Sequence, residues 1–133
     1  MAPAGDTFML QPHHSFHMAY KTAGIGETRS VMEDDDGEMW PLRELLGCDR
    51  LSVSVVDLAP GGRGVEYDHT GCDCEEVFLA VRGSVDLDCL QPSGAVETVS
   101  LGEFEAVSLP PEQPRQLVNR SDEHVRVVVA STV

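Results

Sequence analysis

From residue 51 to the end of the chain, short segments of alternating apolar and polar residues are separated by turn residues. Residues 51–58 (LSVSVVDL) and 84–90 (SVDLDCL) alternate most regularly, and residues 77–81 (VFLAV) form a short apolar run. Alternation with a period of two predicts half-buried strands. Further strands are predicted at residues 95–101, 103–109, 115–119 and 124–132. Seven or eight short strands with almost no helix predict an all-β sandwich or barrel.

The chain has 133 residues, which supports one domain with a real core. No apolar run approaches the roughly 18 residues that a membrane span requires. The N-terminus does not show the basic start and apolar core of a signal peptide. We therefore expect a cytoplasmic protein.

The charge balance excludes some classes of partner. Nine basic and 23 acidic residues give a net charge of −14. Nucleic acids and anionic membrane surfaces need a basic surface, so neither is expected as a partner. Lys21 is the only lysine. Such a composition suits a salt-loving cytoplasm, where salt screens self-repulsion, although a GC-rich genome would also deplete lysine.

Residues 1–38 show no sustained periodicity and are predicted to be an N-terminal arm, followed by a barrel domain at residues 39–133. The acidic run at residues 33–37 is interpreted as a solvated turn, with calcium binding as the alternative. Residues 40–47 (WPLRELLG) predict one helical turn whose Trp and leucines plug one end of the core. A mobile arm is favoured over a metal site built from the three histidines of this segment, His13, His14 and His17.

Two motifs follow one another in the strand-rich part of the chain. In the first, at residues 64–83, Glu76 is followed by six residues and then a glycine. The second has Gly102, Pro110, Arg115 and Asn119 in order, and 18 residues separate the two motifs. This pattern resembles the paired motifs of the cupin superfamily over about residues 40–133. The resemblance implies a jelly-roll barrel of about seven to nine strands.

Cupins usually hold Fe, Mn, Zn or Ni through three histidines and one glutamate, and here the resemblance departs from that pattern. Residues 67–69 (YDH) stand where a His-x-His pair is expected. A second alignment puts Thr70 and Cys72 in those two places. In either case at most two strong ligands of the family remain, His69 or Cys72 together with Glu76.

Arg115 stands where the third histidine belongs. A guanidinium remains protonated and would repel a cation, so an inward Arg115 predicts an ion pair with Glu76 across the barrel. It would also suit the carboxylate or phosphate of a ligand. The alternative is that Arg115 points outward and the motif is purely structural.

The four cysteines (Cys48, Cys72, Cys74 and Cys89) are predicted to be free thiols, because no signal sequence points to an oxidising compartment. An alternative is a soft site for Zn or Cu(I) in which Cys72 and Cys74 join His69 and Glu76, with Cys89 approaching from the next strand. A Cys72–Cys74 disulfide ranks last, because it closes a tight ring.

Three functions compete. The favoured one is small-molecule binding in the barrel, with Arg115, Tyr67 and Glu76 as polar contacts. The second is a metal-dependent oxygenase or isomerase that uses His69 and Glu76 with Tyr67 or a cysteine. The third is a metal-free isomerase or cyclase with Glu76 as base and Tyr67 as acid. The cofactor is accordingly a divalent metal (Zn, Fe or Mn) or none.

Three further expectations concern the last part of the chain. Asn119 is predicted to cap the turn before the final strand, and His124 to lie at the exposed start of that strand. The resemblance implies a homodimer, which residues 125–129 and the N-terminal arm would suit through strand exchange.

Overall fold

The computed structural model describes residues 20–32 and 35–133. Within them, two antiparallel sheets contain eight strands, and the helical segments are a 3-10 turn at Ile25–Glu27 and one turn of helix, α1 (Arg43–Leu46). The strands are β1 (Gly37–Pro41), β2 (Leu51–Leu58), β3 (Glu76–Arg82), β4 (Val85–Leu90), β5 (Val96–Leu101), β6 (Ala106–Leu109), β7 (Arg115–Val118) and β8 (Val125–Thr132). No helix in these residues is long and apolar enough to span a membrane.

The strands form a jelly roll of two layers. The larger sheet has the order β1-β2-β8-β3-β6 and the smaller has the order β5-β4-β7. Strands β2 and β8 pair along their whole length, from Leu51 opposite Thr132 to Leu58 opposite Val125. Consecutive strands such as β2 and β3 lie apart with β8 between them, so most pairings join distant parts of the chain. The predicted all-β architecture is confirmed.

The core lies between the two sheets and follows the alternation seen in the sequence. In β8 Val125, Val127 and Val129 are buried while the residues between them are only partly buried. Phe78 and Leu87 face them from β3 and β4. Each fully buried side chain of this size contributes about 1.5–3 kcal/mol relative to exposure, which makes this alternation the main source of stability.

Most strand bounds agree with the sequence, and β6 is the main exception. It begins at Ala106 instead of residue 103. Residues 102–105 form a turn instead, in which the amide of Gly102 donates to Glu105 Oε1 and the amide of Glu105 donates to the carbonyl of Gly102. Phe104 has a φ of 64°, a left-handed conformation that interrupts a strand.

Residues 30–32 and 37–41 are joined to the barrel more closely than the sequence predicts. Strand β1 pairs with β2 and spans the predicted boundary between residues 38 and 39. Met32 is buried in the core, and the amide of Val31 donates to the carbonyl of Met39. The barrel therefore begins before residue 39. The arm through residue 19, its three histidines and residues 33 and 34 of the acidic run lie outside the described residues.

Residues 40–47 differ in detail from the predicted helical plug. The helical turn is present as α1, and Gly47 follows it with a φ of 67°, as a glycine after a helix often does. Trp40 belongs to β1, however, and its ring lies 5.9 Å from the guanidinium carbon of Arg126. Trp40 therefore packs beside Arg126 instead of plugging the core.

Asn119 holds the turn before β8, as predicted, and reaches further. Its side chain is fully buried. Its amide nitrogen donates to the carbonyl oxygens of Leu58, Ala59 and Glu123, and its Oδ1 accepts from Ser121. The side chain thus ties the end of β2 to the turn that leads into β8. His124, immediately before β8, is exposed as predicted.

Candidate functional site

The candidate site is built around the buried carboxylate of Glu76. Glu76 is the first residue of β3, and the alternation of that strand turns it inward with Phe78 and Ala80. Its side chain is only 5% exposed. Because a buried charge needs partners, the groups around Glu76 decide what this site can do.

Arg115, the first residue of β7, supplies the opposite charge. Its side chain is 1% exposed, and its Nη1 lies 3.0 Å from Glu76 Oε1. Its Nε donates to the carbonyl of Gln113 at 2.9 Å, and its Nη2 donates to the carbonyl of Pro110 at 2.6 Å, with the carbonyl of Pro111 at 3.4 Å. The predicted inward orientation and ion pair are both present. The backbone carbonyls, which the sequence did not indicate, leave the guanidinium nearly saturated.

Tyr67 is the second partner of Glu76. It pairs with Arg115 through an isolated β-bridge, and its hydroxyl donates to Glu76 Oε1 at 2.8 Å. Burial and the nearby Glu76 charge raise the pKa of Tyr67 far above its usual value. A phenol held so firmly in its protonated form is a good hydrogen-bond donor and a poor general acid near neutral pH.

His69 completes the cluster at its outer end. Its Nε2 lies 3.2 Å from Glu76 Oε2, and its side chain remains 31% exposed. Its ring meets that of Tyr67 edge-on, with 5.3 Å between centroids. Cys72 is exposed, so the structure favours the alignment that places Tyr67 and His69, instead of Thr70 and Cys72, at the two histidine positions of the motif.

These residues do not fit a cupin metal centre. A stable divalent site needs three or four donors around the cation. Here Glu76 Oε1 already accepts from both Arg115 and Tyr67, and the guanidinium would repel a cation placed there. Among the described residues no group of three or more His, Cys, Asp or Glu side chains is arranged to hold a metal ion.

The cysteines also differ from the prediction. Cys72 and Cys74 form a disulfide, the pairing ranked last from the sequence, so the free thiols and the soft metal site predicted for these two residues are wrong. Their Cα atoms are 5.3 Å apart, an ordinary separation for a disulfide. Cys89 is buried in the core, where desolvation raises its pKa, and Cys48 is partly exposed.

A cavity of about 50 Å³ lies beside the ion pair inside the barrel. Tyr67 and Arg115 form one part of its wall. The rest of the wall is apolar or glycine: Met32, Met39, Val56, Gly64, Val65, Phe78, Leu117 and Val129. The role of Met32 could not be predicted, because this residue precedes the first strand and lies in a segment without alternation.

A larger groove of about 570 Å³ lies elsewhere on the surface. Pro92, Pro110 and Pro114 contribute to its walls together with residues around Leu90 and Gln113. None of the four residues of the Glu76 cluster lines it. The cavity beside Arg115 is therefore the one in contact with the candidate site.

Comparison with known proteins identifies the fold. No family model matches the sequence, and no curated protein matches it. Among solved structures, an oxalate oxidase with the substrate analogue glycolate superposes with a TM-score of 0.67 at 15% identity, covering 83% of this chain and 57% of that one. A tryptophan-to-phenylalanine variant of oxalate decarboxylase from B. subtilis gives 0.69 at 18% identity, covering 85% and 29%.

A further oxalate oxidase structure gives a TM-score of 0.70 at 14% identity and covers 98% of this chain and 68% of that one. These neighbours are cupin proteins of the germin type. The chain therefore has the cupin jelly-roll fold. It spans little more than half the length of the first oxalate oxidase and under a third of the decarboxylase, and identities this low establish the fold alone.

Proposed function

We propose that this protein is a metal-independent cupin that binds a small molecule in its barrel. The observation that supports this is the contact between Arg115 Nη1 and Glu76 Oε1 at 3.0 Å. The pair puts a fixed positive charge where cupins place a metal ligand, so the Glu76 carboxylate is neutralised by Arg115 and needs no metal ion. The barrel then keeps a polar centre and a cavity without the electrophile of a metal enzyme.

The same contacts weigh against a small carboxylate such as glycolate, which one oxalate oxidase neighbour holds. A carboxylate would need donors from Arg115. Those donors already bond to Glu76 and to the carbonyls of Gln113 and Pro110. A second anion would have to break the buried pair, which is costly.

Metal content tests the proposal directly. We expect purified wild-type protein to contain negligible Zn, Fe or Mn by mass spectrometry, and His69→Ala to be the same. Arg115→His should gain metal, because it removes the repelling charge and adds a third donor to His69 and Glu76. Near-stoichiometric metal in the wild type, lost in His69→Ala, would overturn the proposal and favour the metal-dependent oxygenase or isomerase.

A second candidate is a metal-free isomerase or cyclase. The half-exposed His69 next to Glu76 supports it, because this pair could pass a proton between solvent and the buried carboxylate. The Tyr67 hydroxyl donates a hydrogen bond to Glu76 Oε1, so this candidate uses His69 instead of Tyr67 as the partner of Glu76 in proton transfer. This candidate predicts a saturable reaction whose kcat falls at least about 100-fold in both Glu76→Gln and His69→Ala.

We also propose that the protein is a homodimer that buries the outer face of the larger sheet. That face carries a row of paired residues across all five strands, which are all apolar: Trp40, Val55, Val128, Leu79 and Ala106. Ala106 is exposed and the other four are partly exposed, and apolar surface of this kind marks protein interfaces. Light scattering should give twice the monomer mass, and Val128→Lys, in the centre of the row, should give monomers. A monomeric wild type would contradict the proposal.

A further inference from the structure

The cavity beside Arg115 is apolar on every side that a ligand could touch. Its lining includes two polar side chains, those of Tyr67 and Arg115. The Tyr67 hydroxyl is committed to Glu76, and the Arg115 nitrogens bond to Glu76 and to backbone carbonyls. What these residues offer the cavity is therefore the aromatic ring and the aliphatic stem.

Every buried polar side-chain atom in residues 20–32 and 35–133 has a hydrogen-bond partner. A polar ligand entering the cavity would thus lose its own hydrogen bonds to water and would have to compete with bonds that these atoms already make. An apolar ligand would lose none. Apolar cavities of this kind stay dry and take up apolar guests.

The size of the cavity requires its wall to yield. A volume of about 50 Å³ is roughly a third of the engineered cavity of 150 Å³ that accepts benzene. Met32 and Met39 lie on one side of it, and Met32 is only 8% exposed. Methionine side chains have three rotatable bonds and fill irregular spaces, so they adjust more readily than branched residues.

Met32 also lies on a segment whose described hydrogen bonds to the sheet both go to Met39. The segment bonds to β1 through the amide of Val31, which donates to the Met39 carbonyl, and through Ser30 Oγ, which accepts from the Met39 amide. It carries no paired strand of its own. Displacing the Met32 side chain therefore enlarges the cavity without breaking a sheet pairing.

We infer that this cavity is a binding site for a small apolar molecule, admitted by movement of Met32 and Met39. The inference rests on the proposed small-molecule function and narrows it to one class of ligand, about the size of a substituted benzene. Phe78 and Leu117 also line the cavity, and Arg115, which lines it too, directs Nη1 to Glu76.

Gly64 offers a way to fill the cavity without strain. A Cβ at Gly64 would lie 3.6 Å from Leu117 Cβ, an ordinary contact, and its φ is not left-handed. Gly64→Leu would place a side chain against the cavity, and Gly64→Ala provides a milder version if the larger variant folds poorly. Gly26→Leu is the matched control, because a Cβ there meets nothing within 4 Å.

The experiment is a titration of the folded protein with toluene, followed by methyl NMR of its methionines and valines, beside a parallel titration with acetate. We expect saturable toluene shifts in the wild type and in Gly26→Leu. Binding should weaken at least tenfold in Gly64→Leu and less in Gly64→Ala, and it should tighten in Met32→Ala because the cavity is larger.

The outcomes separate this inference from the proposed function. Acetate binding that depends on His69 but not on Gly64, with no toluene binding, would leave the small-molecule function in place and overturn the apolar site. Toluene binding that survives Gly64→Leu would also overturn it, since the ligand would then lie elsewhere. Binding of neither probe by the wild type would count against both.

Discussion

Arg115 begins the short strand β7 and Arg120 lies two residues beyond its end. Both bind carboxylates, one inside the protein and the other at its surface. Arg115 is 1% exposed and its partner Glu76 is 5% exposed. Arg120 is 45% exposed, and it bonds to Asp86 at 3.0 Å and to Asp88 at 2.6 Å. The number of hydrogen bonds is similar, so the surroundings are the main difference between the two sites.

The comparison shows why one pair suits a structural centre and the other a surface. Water screens the Arg120 network, so each exposed pair contributes about 0–1 kcal/mol. Arg115 and Glu76 are almost fully shielded from solvent, and removing one partner leaves a buried charge, which costs about 3–5 kcal/mol. The buried pair neutralises Glu76 and joins β3 in one sheet to β7 in the other.

The largest effect is expected for Arg115→Ala. It leaves Glu76 without its main partner and the carbonyl of Gln113 without the Arg115 donor, while the carbonyls of Pro110 and Pro111 keep backbone donors. Because a buried charge loses its partner, the free energy of unfolding in urea should fall by about 3–5 kcal/mol. The double variant Arg115→Met with Glu76→Leu should recover much of that loss, because it removes both charges. A loss below about 1 kcal/mol in Arg115→Ala would mean that the pair is screened like a surface pair.

Asn119→Ala should have the next largest effect on the free energy of unfolding. It tests how much a buried side chain contributes when that side chain is polar but uncharged. The change removes the donor to Leu58, Ala59 and Glu123 at a fully buried position. The carbonyls of Ala59 and Glu123 keep other donors, the Gly62 amide and Ser121 Oγ. We therefore expect the total loss to be about 2–3 kcal/mol. The measurement is urea unfolding beside the control Ser121→Ala, which should cost clearly less.

Tyr67→Phe sharpens the comparison within the buried cluster. Loss of the hydroxyl bond to Glu76 should cost about 1–2 kcal/mol at neutral pH. The folded pKa of Tyr67 is raised, so this stabilisation is fully present below the unfolded value of 10.0 and is lost as the pH rises above it. The difference in unfolding free energy between wild type and variant should therefore be smaller at pH 11 than at pH 7. A constant difference would contradict this.

Arg120→Ala should have the smallest effect, at most about 1 kcal/mol, and it should shrink further in high salt. The hydrogen bond from Arg120 holds the pKa of Asp88 below its ordinary value of 3.8. When the pKa of a carboxyl group is lower in the folded state, its stabilisation is fully present above the unfolded pKa. That stabilisation is lost as the pH falls through the folded pKa. The difference between wild type and variant should thus be larger at pH 7 than at pH 2.5. Insensitivity to both salt and pH would show that the network is not electrostatic.

Much of the fold could be predicted because most strands show a local alternation of apolar and polar residues. Residues 51–58 alternate cleanly, and β2 has those bounds. Strand β1 could not be predicted in this way, because Gly37–Pro41 has neither alternation nor a typical strand composition. It becomes a strand because β2 offers it an edge to pair with.

Some contacts of the candidate site could likewise be predicted from the sequence, and others could not. The chemistry of a permanent cation at residue 115 predicted the ion pair with Glu76, and the structure contains it. The disulfide of Cys72 and Cys74 was wrongly ranked last, because residue type and spacing alone do not show whether two cysteines so close in the chain are paired. The commitment of Arg115 to the carbonyls before it depends on how the turn at residues 110–114 folds.

The sequence by itself determined the strands, the glycine turns, the acidic surface and the loss of the third histidine, since each depends on residue type and local spacing. Tertiary structure alone decided that Tyr67, His69 and Arg115 meet on one carboxylate, that Met32 enters the core, and that a small apolar cavity remains beside them. Those features depend on side chains from segments distant in the chain, and only the packing of the two sheets brings them together.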